Sequence, residues 1–183
     1  MALTHRWAIA LVAEHGRWEH AGQRYFDGEV EPCINGRTIE TGAYFGVDVA
    51  AIVERILGEQ LDDGGWNCEV ENGSVRSSFD TTINVLDGLL EFERATGGSA
   101  EVRAARRSGE EYLLERGLFR RKSTGEVADP AHLEFAFPTT GATRCCVRST
   151  TSAGRARLRW TWDACTRLPH APLTTPRRSR FAC

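Results

Sequence analysis

Lysine is almost missing from this chain: of 23 basic residues only Lys122 is lysine and the other 22 are arginine. Such a bias arises most simply from GC-rich codons. Long apolar runs are missing too. No window approaches the roughly 20 apolar residues that a membrane-spanning helix needs. The opening MALTHRWAIALVAEHG carries too short an apolar run, broken by charge, for a secretory signal. The expectation is a soluble, cytoplasmic protein. There is no Cys-x-x-Cys pair among Cys33, Cys68, Cys145, Cys146, Cys165 and Cys183, which argues against a thiol-rich zinc site. In a cytoplasmic setting the six read as reduced thiols. No alternating apolar and polar run marks a strand.

What is present is one domain's worth of sequence. At 183 residues, 41% hydrophobic and 26% charged, the chain can bury a core, which excludes wholesale disorder. Its net charge of -2 conceals two unlike segments: residues 1–139 hold 24 acids and 14 bases, whereas residues 140–183 hold nine arginines against one acid, Asp163.

The first segment reads as helices joined by glycine-rich turns. From about Val47 to Gln60, Val49, Ile52, Val53, Ile56 and Leu57 follow the three-and-four spacing of one helical face, with a stop at Gly64 and Gly65. A second helix is expected to open at a capping-box-like pair, Ser77 and Asp80, to bury Phe79, Ile83, Leu86, Leu89 and Leu90, and to end at Gly97 and Gly98. A third opens at Ser99 and runs to about Arg116, with Val102, Ala105, Gly109, Tyr112 and Leu113 on one face. The small residues Ala105 and Gly109 permit a close helix approach. Residues 119–138, broken by Gly125, Pro130 and Pro138, read as a connecting loop.

The string QLDDGGW, Gln60 to Trp66, fits the Gln-x3-Gly-x-Trp core of the repeat found in squalene and oxidosqualene cyclases, and the following INVLDGLLEFE is similar to the inward helix of that repeat. The chain therefore resembles the squalene-cyclase and protein-prenyltransferase superfamily. That resemblance implies an all-α fold of helical hairpins forming part of an α/α toroid over residues 1–139, and an isoprenoid or other apolar small molecule as ligand. Gln60, Gly64, Gly65 and Trp66 are read as a structural clamp. A glutamine amide can satisfy carbonyls that a helix end leaves unpaired, glycines let the chain reverse, and an indole covers the end.

The resemblance stops short of the chemistry. The acid motif Asp-x-Asp-Asp is absent, with Gln60 standing where its first aspartate belongs. Asp-Asp-x-x-Asp is absent as well, because Trp66 follows Asp62 and Asp63 at the last position. Zinc in the manner of prenyltransferases would need an aspartate two residues before Cys68, where Trp66 stands, with His132 as the distant ligand. No metal and no cofactor is assigned, and the expectation is a catalytically incompetent fragment. Asp62, Asp63 and Cys68 remain pocket candidates beside the turn. Cys33, Asn35 and Arg37 are pocket-rim candidates, because Glu31 to Thr38 is polar and turn-rich in a way that packing does not require.

At Pro138 the helical grammar ends. Regrouping generic codons for Ala142 to Ser152 by one base permits an amphipathic helix similar to INVLDGLLEFE, so residues 140–183 are read as a frameshifted segment, with a disordered basic extension as the other reading. Three or so helices taken from a closed ring leave apolar faces uncovered, which implies marginal stability or self-association. The alternatives to an isoprenoid-handling protein are a non-catalytic helical scaffold and, as the lesser reading, a nucleic-acid binder using the basic tail.

Overall fold

Ser78 sets the start of the longest helix, its side chain accepting the Thr81 N–H as N-cap. The computed structural model describes residues 2–19 and 21–133. Helices span Ala2–His15 (α1), Pro32–Phe45 (α2), Ala50–Gly58 (α3), Phe79–Thr96 (α4) and Ala100–Glu115 (α5), with 3-10 turns at Tyr25–Asp27, Cys68–Val70 and Pro130–Leu133. No strand forms among the described residues; isolated bridges join Arg17 to Arg24 and Arg120 to Val127. The fold class is all-α. None of these helices is long and apolar enough to cross a membrane.

Three local expectations need correction. Glu31 to Thr38 is not turn-rich: Pro32 occupies the first turn of α2, where its missing N–H costs nothing, and the helix continues through Asn35 and Gly36. Ser77 does not cap α4. Its hydroxyl and N–H both go to Asp63, and the cap falls one residue later. Nor is the burial of α4 confined to the residues expected: every residue from Thr81 to Leu89 is buried, whereas Phe79 and Leu90 are only partly so. α2 packs along one side of it and α5 along another, which makes α4 the central helix.

The α2–α4 contact is backbone against backbone. A Cβ on Gly88 would lie 2.3 Å from the Gly36 carbonyl oxygen, and one on Gly36 would lie 2.4 Å from that of Asn84. Only hydrogen side chains allow such an approach.

α3 buries Ile52, Val53 and Ile56, and Val49 is its N-cap residue. α5 opens at Ser99, whose hydroxyl accepts the Val102 N–H at 3.2 Å, and buries Val102, Ala105, Gly109, Tyr112 and Leu113, the face its spacing predicts. Ile39, Ile52, Ile56, Val85, Leu86 and Leu89 form the interior of the core around Trp66. Trp7 of α1 and Tyr44 of α2 face outward, 67% and 71% exposed. The expectations for residues 140–183, the frameshift and the disordered extension alike, lie outside the described residues.

Candidate functional site

The Gln60–Trp66 turn joins three helices. Gln60 Nε2 donates to the Gly64 carbonyl at 2.7 Å and to the Ala105 carbonyl of α5 at 2.9 Å. The Trp66 indole is fully buried, and its Nε1–H donates to the Ile56 carbonyl near the end of α3 at 2.7 Å. Its backbone N–H donates to Thr82 Oγ1 of α4 at 3.0 Å. Gly64 takes a φ of +96°, open to glycine at no steric cost, and a Cβ there would meet Ser108 Oγ at 2.7 Å. Gly65 sits equally close to Thr82 and Ser77. Gly109 of α5 lies against the indole, where a Cβ would come within 2.8 Å of Cζ3.

Asp63 leaves this turn to face Ser77 and the guanidinium of Arg116, 3.8 Å away. Both Asp62 and Asp63 line a cavity of about 660 Å³ together with Val75, Phe79, Tyr112 and five cations, Arg76, Arg116, Arg120, Arg121 and Lys122. Arg116 stacks over the Tyr112 ring at 3.9 Å from its centroid. Lys122 pairs with Glu115 at 2.7 Å. The guanidinium groups of Arg120 and Arg121 donate to the backbone carbonyls of Gly125 and Ala128. Among the described residues no carboxylate pairs with Arg76, Arg120 or Arg121, so the cavity keeps an excess of positive charge over an aromatic floor.

The rim candidates on α2 do not act together. Asn35 is fully buried: its Oδ1 accepts the Glu29 N–H at 2.7 Å and its Nδ2 donates to the Glu29 carbonyl at 2.6 Å, which closes the chain reversal ahead of α2. Arg37 pairs with Glu40 one turn on. Cys33 instead meets Cys68. The two sulfurs and a Glu31 carboxylate oxygen all lie within 4.8 Å of one another.

Cys33 Sγ donates to Glu31 Oε2 at 3.4 Å, and Cys68 Sγ lies 3.5 Å from Thr81 Oγ1. The Cys68 thiol is lowered to about 7, first by the hydrogen bond from Cys33, with half-burial opposing and the Thr81 hydroxyl assisting. Cys33 is driven far above the usual thiol range, first by that same hydrogen bond and then by burial. Cys68 also lines a second cavity of about 310 Å³ with Val30, Glu59, Gln60, Asn67 and Glu71. Burial raises the Glu59 carboxyl, Arg55 opposing and Glu71 assisting.

No family model, curated protein or solved structure matches this chain.

His132 is buried edge-on against Phe79 with its Nε2 3.7 Å from Asp80 Oδ1, and it is not part of the Glu31, Cys33 and Cys68 group. Sequence reasoning missed the cationic cavity, although Arg120, Arg121 and Lys122 stand adjacent and Arg116 lies one helical turn before them. It also missed Glu31 and the pairing of Cys33 with Cys68. Cys33 lies in the first turn of α2 and Cys68 in the 3-10 turn that rests against Thr81 at the start of α4, so their meeting is a tertiary contact that no local spacing encodes.

Proposed function

We propose that this chain is an isoprenoid-handling helical unit, part of an α/α toroid, that binds an amphiphile with a diphosphate-like head and an apolar tail without transforming it. The observation that carries this reading is the 660 Å³ cavity, with five cations set around Val75, Phe79 and Tyr112. Arginine forks suit the paired oxygens of phosphate groups, and a cavity of this size is ordinary for a small-molecule ligand. The repeat-like turn from Gln60 to Trp66 favours an isoprenoid tail through its resemblance to squalene cyclases and prenyltransferases. The missing aspartate motifs favour binding without turnover. On this reading the protein is cytoplasmic, and outward apolar residues such as Trp7 and Tyr44 support association with a second copy.

Calorimetric titration with farnesyl diphosphate, farnesol and inorganic diphosphate tests the proposal. Farnesyl diphosphate should bind more tightly than either part, should be recovered unchanged, and should bind at least about tenfold more weakly when Arg120 and Arg121 are both replaced by alanine, which corresponds to about 1.4 kcal/mol. Equal or absent binding of all three would sink it and leave the scaffold reading. Turnover of the lipid would contradict the claim of incompetence.

A further inference from the structure

We propose that Glu31, Cys33 and Cys68 form a binding site for a zinc-type divalent metal ion, with its fourth position open toward the 310 Å³ cavity. None of these residues lines the cationic cavity. Their three donor atoms already lie within 4.8 Å of one another. A tetrahedral ion with bonds of about 2.3 Å to sulfur and about 2.1 Å to oxygen holds its donors somewhat under 4 Å apart. Closing the set therefore takes small side-chain movements and no change of fold.

The donor types select the metal. Two thiolates and one carboxylate are too soft a set for magnesium or calcium, which demand six or more oxygens, and they suit zinc and its cobalt analogue. The supporting structure is stiff. Glu31 is the N-cap residue of α2 and Cys33 lies in its first turn, with Pro32 fixing the backbone between them. Cys68 opens the 3-10 turn at Cys68–Val70, and the Asn67 carboxamide accepts the Glu69 N–H at 2.9 Å to hold that turn. Thr81, in the first turn of α4, stands behind the Cys68 sulfur as an outer hydroxyl partner.

The open position has somewhere to face. Cys68 is shared between the donor group and the wall of the 310 Å³ cavity, which has room for a water or a small ligand. Glu59, on the same wall, keeps its Oε2 buried with no hydrogen-bond partner among the described residues. A buried carboxylate oxygen without a donor is costly, and a metal-bound water entering the cavity is a donor of the kind it lacks.

Cobalt(II) added to the reduced, metal-free full chain provides the test. One equivalent should bind with a sulfur-to-cobalt charge-transfer band, and zinc should then displace it. A variant with Cys145, Cys146, Cys165 and Cys183 all changed to serine should keep the band. Cys33→Ser or Cys68→Ser should each weaken it, the double replacement should abolish it, and Glu31→Gln should weaken cobalt binding by more than the roughly 10–100-fold that loss of an outer partner costs. A footprint on the unaltered chain guards against variants that fail to fold: zinc should protect Cys33 and Cys68 together from iodoacetamide. No band in the reduced chain, a band that survives the double replacement of Cys33 and Cys68, or labelling of both cysteines unchanged by zinc would each overturn the site.

Discussion

Trp66 shows how one side chain does several jobs. Its indole is fully buried, its ring N–H serves the end of α3, and its backbone is tied to Thr82 of α4. Replacing it with alanine should cost about 3–5 kcal/mol, seen as a lower urea midpoint with an unchanged slope. Trp66→Phe keeps most of the packing and loses the donated bond. Because the Ile56 carbonyl also accepts the Glu59 N–H at 3.3 Å, the loss of that bond adds only about 1 kcal/mol to the lost volume. Unchanged melting in Trp66→Ala would show that the indole does not support the fold. The turn around this residue is written in local sequence, because Gln60, the glycines and Trp66 are close neighbours in the chain. The Asn35 latch to Glu29 is not so legible. An Asn-Gly pair after Pro-Cys-Ile reads as a turn until α4 is known to need the space above Gly36.

Among the elements, α5 was the most legible; α2 was read at its start as a turn, and α4 was legible in its bounds but not in its burial. α5 lies at the side of the bundle with one buried stripe, so its apolar spacing is its packing. α4 is enclosed, and Thr81, Thr82, Asn84 and Asp87 are buried along with Val85 and Leu86. A polar residue on an enclosed helix gives no periodic signal of burial. The Gly36–Gly88 crossing offers a test by sign. Alanine is the better helix former by about 1 kcal/mol, yet Gly88→Ala should destabilise by about 1–3 kcal/mol, because its methyl meets the α2 backbone rather than a side chain that can turn aside. Gly58→Ala, at the end of α3 with nothing within 4 Å of its Cβ, should be neutral or stabilising. Thermal melts of the two variants moving in the same downward direction would show that the crossing is not the cause.

At the scale of the molecule, the described core runs from Phe26 to Phe119 and joins α2, α3, α4 and α5 around Trp66. The sharp charge reversal near residue 139 marks where the sequence stops resembling that core. Cleavage after Thr139 should therefore leave helicity and the melting temperature within error, measured by far-ultraviolet circular dichroism. It should also remove any salt-sensitive affinity for polyanions, as nine arginines leave with the segment. A large loss of helicity would make residues 140–183 a structural element and count against the frameshift reading. The metal proposal survives such a cut, since Glu31, Cys33 and Cys68 all remain.

The buried indole proton of Trp66 also acts as a clock. It is held by the Ile56 carbonyl inside a shell formed by α3, α4 and α5, so deuterium from solvent reaches it only when those helices part together. Amides at frayed helix ends exchange through small local openings, whereas this nitrogen should exchange only through a larger, cooperative one.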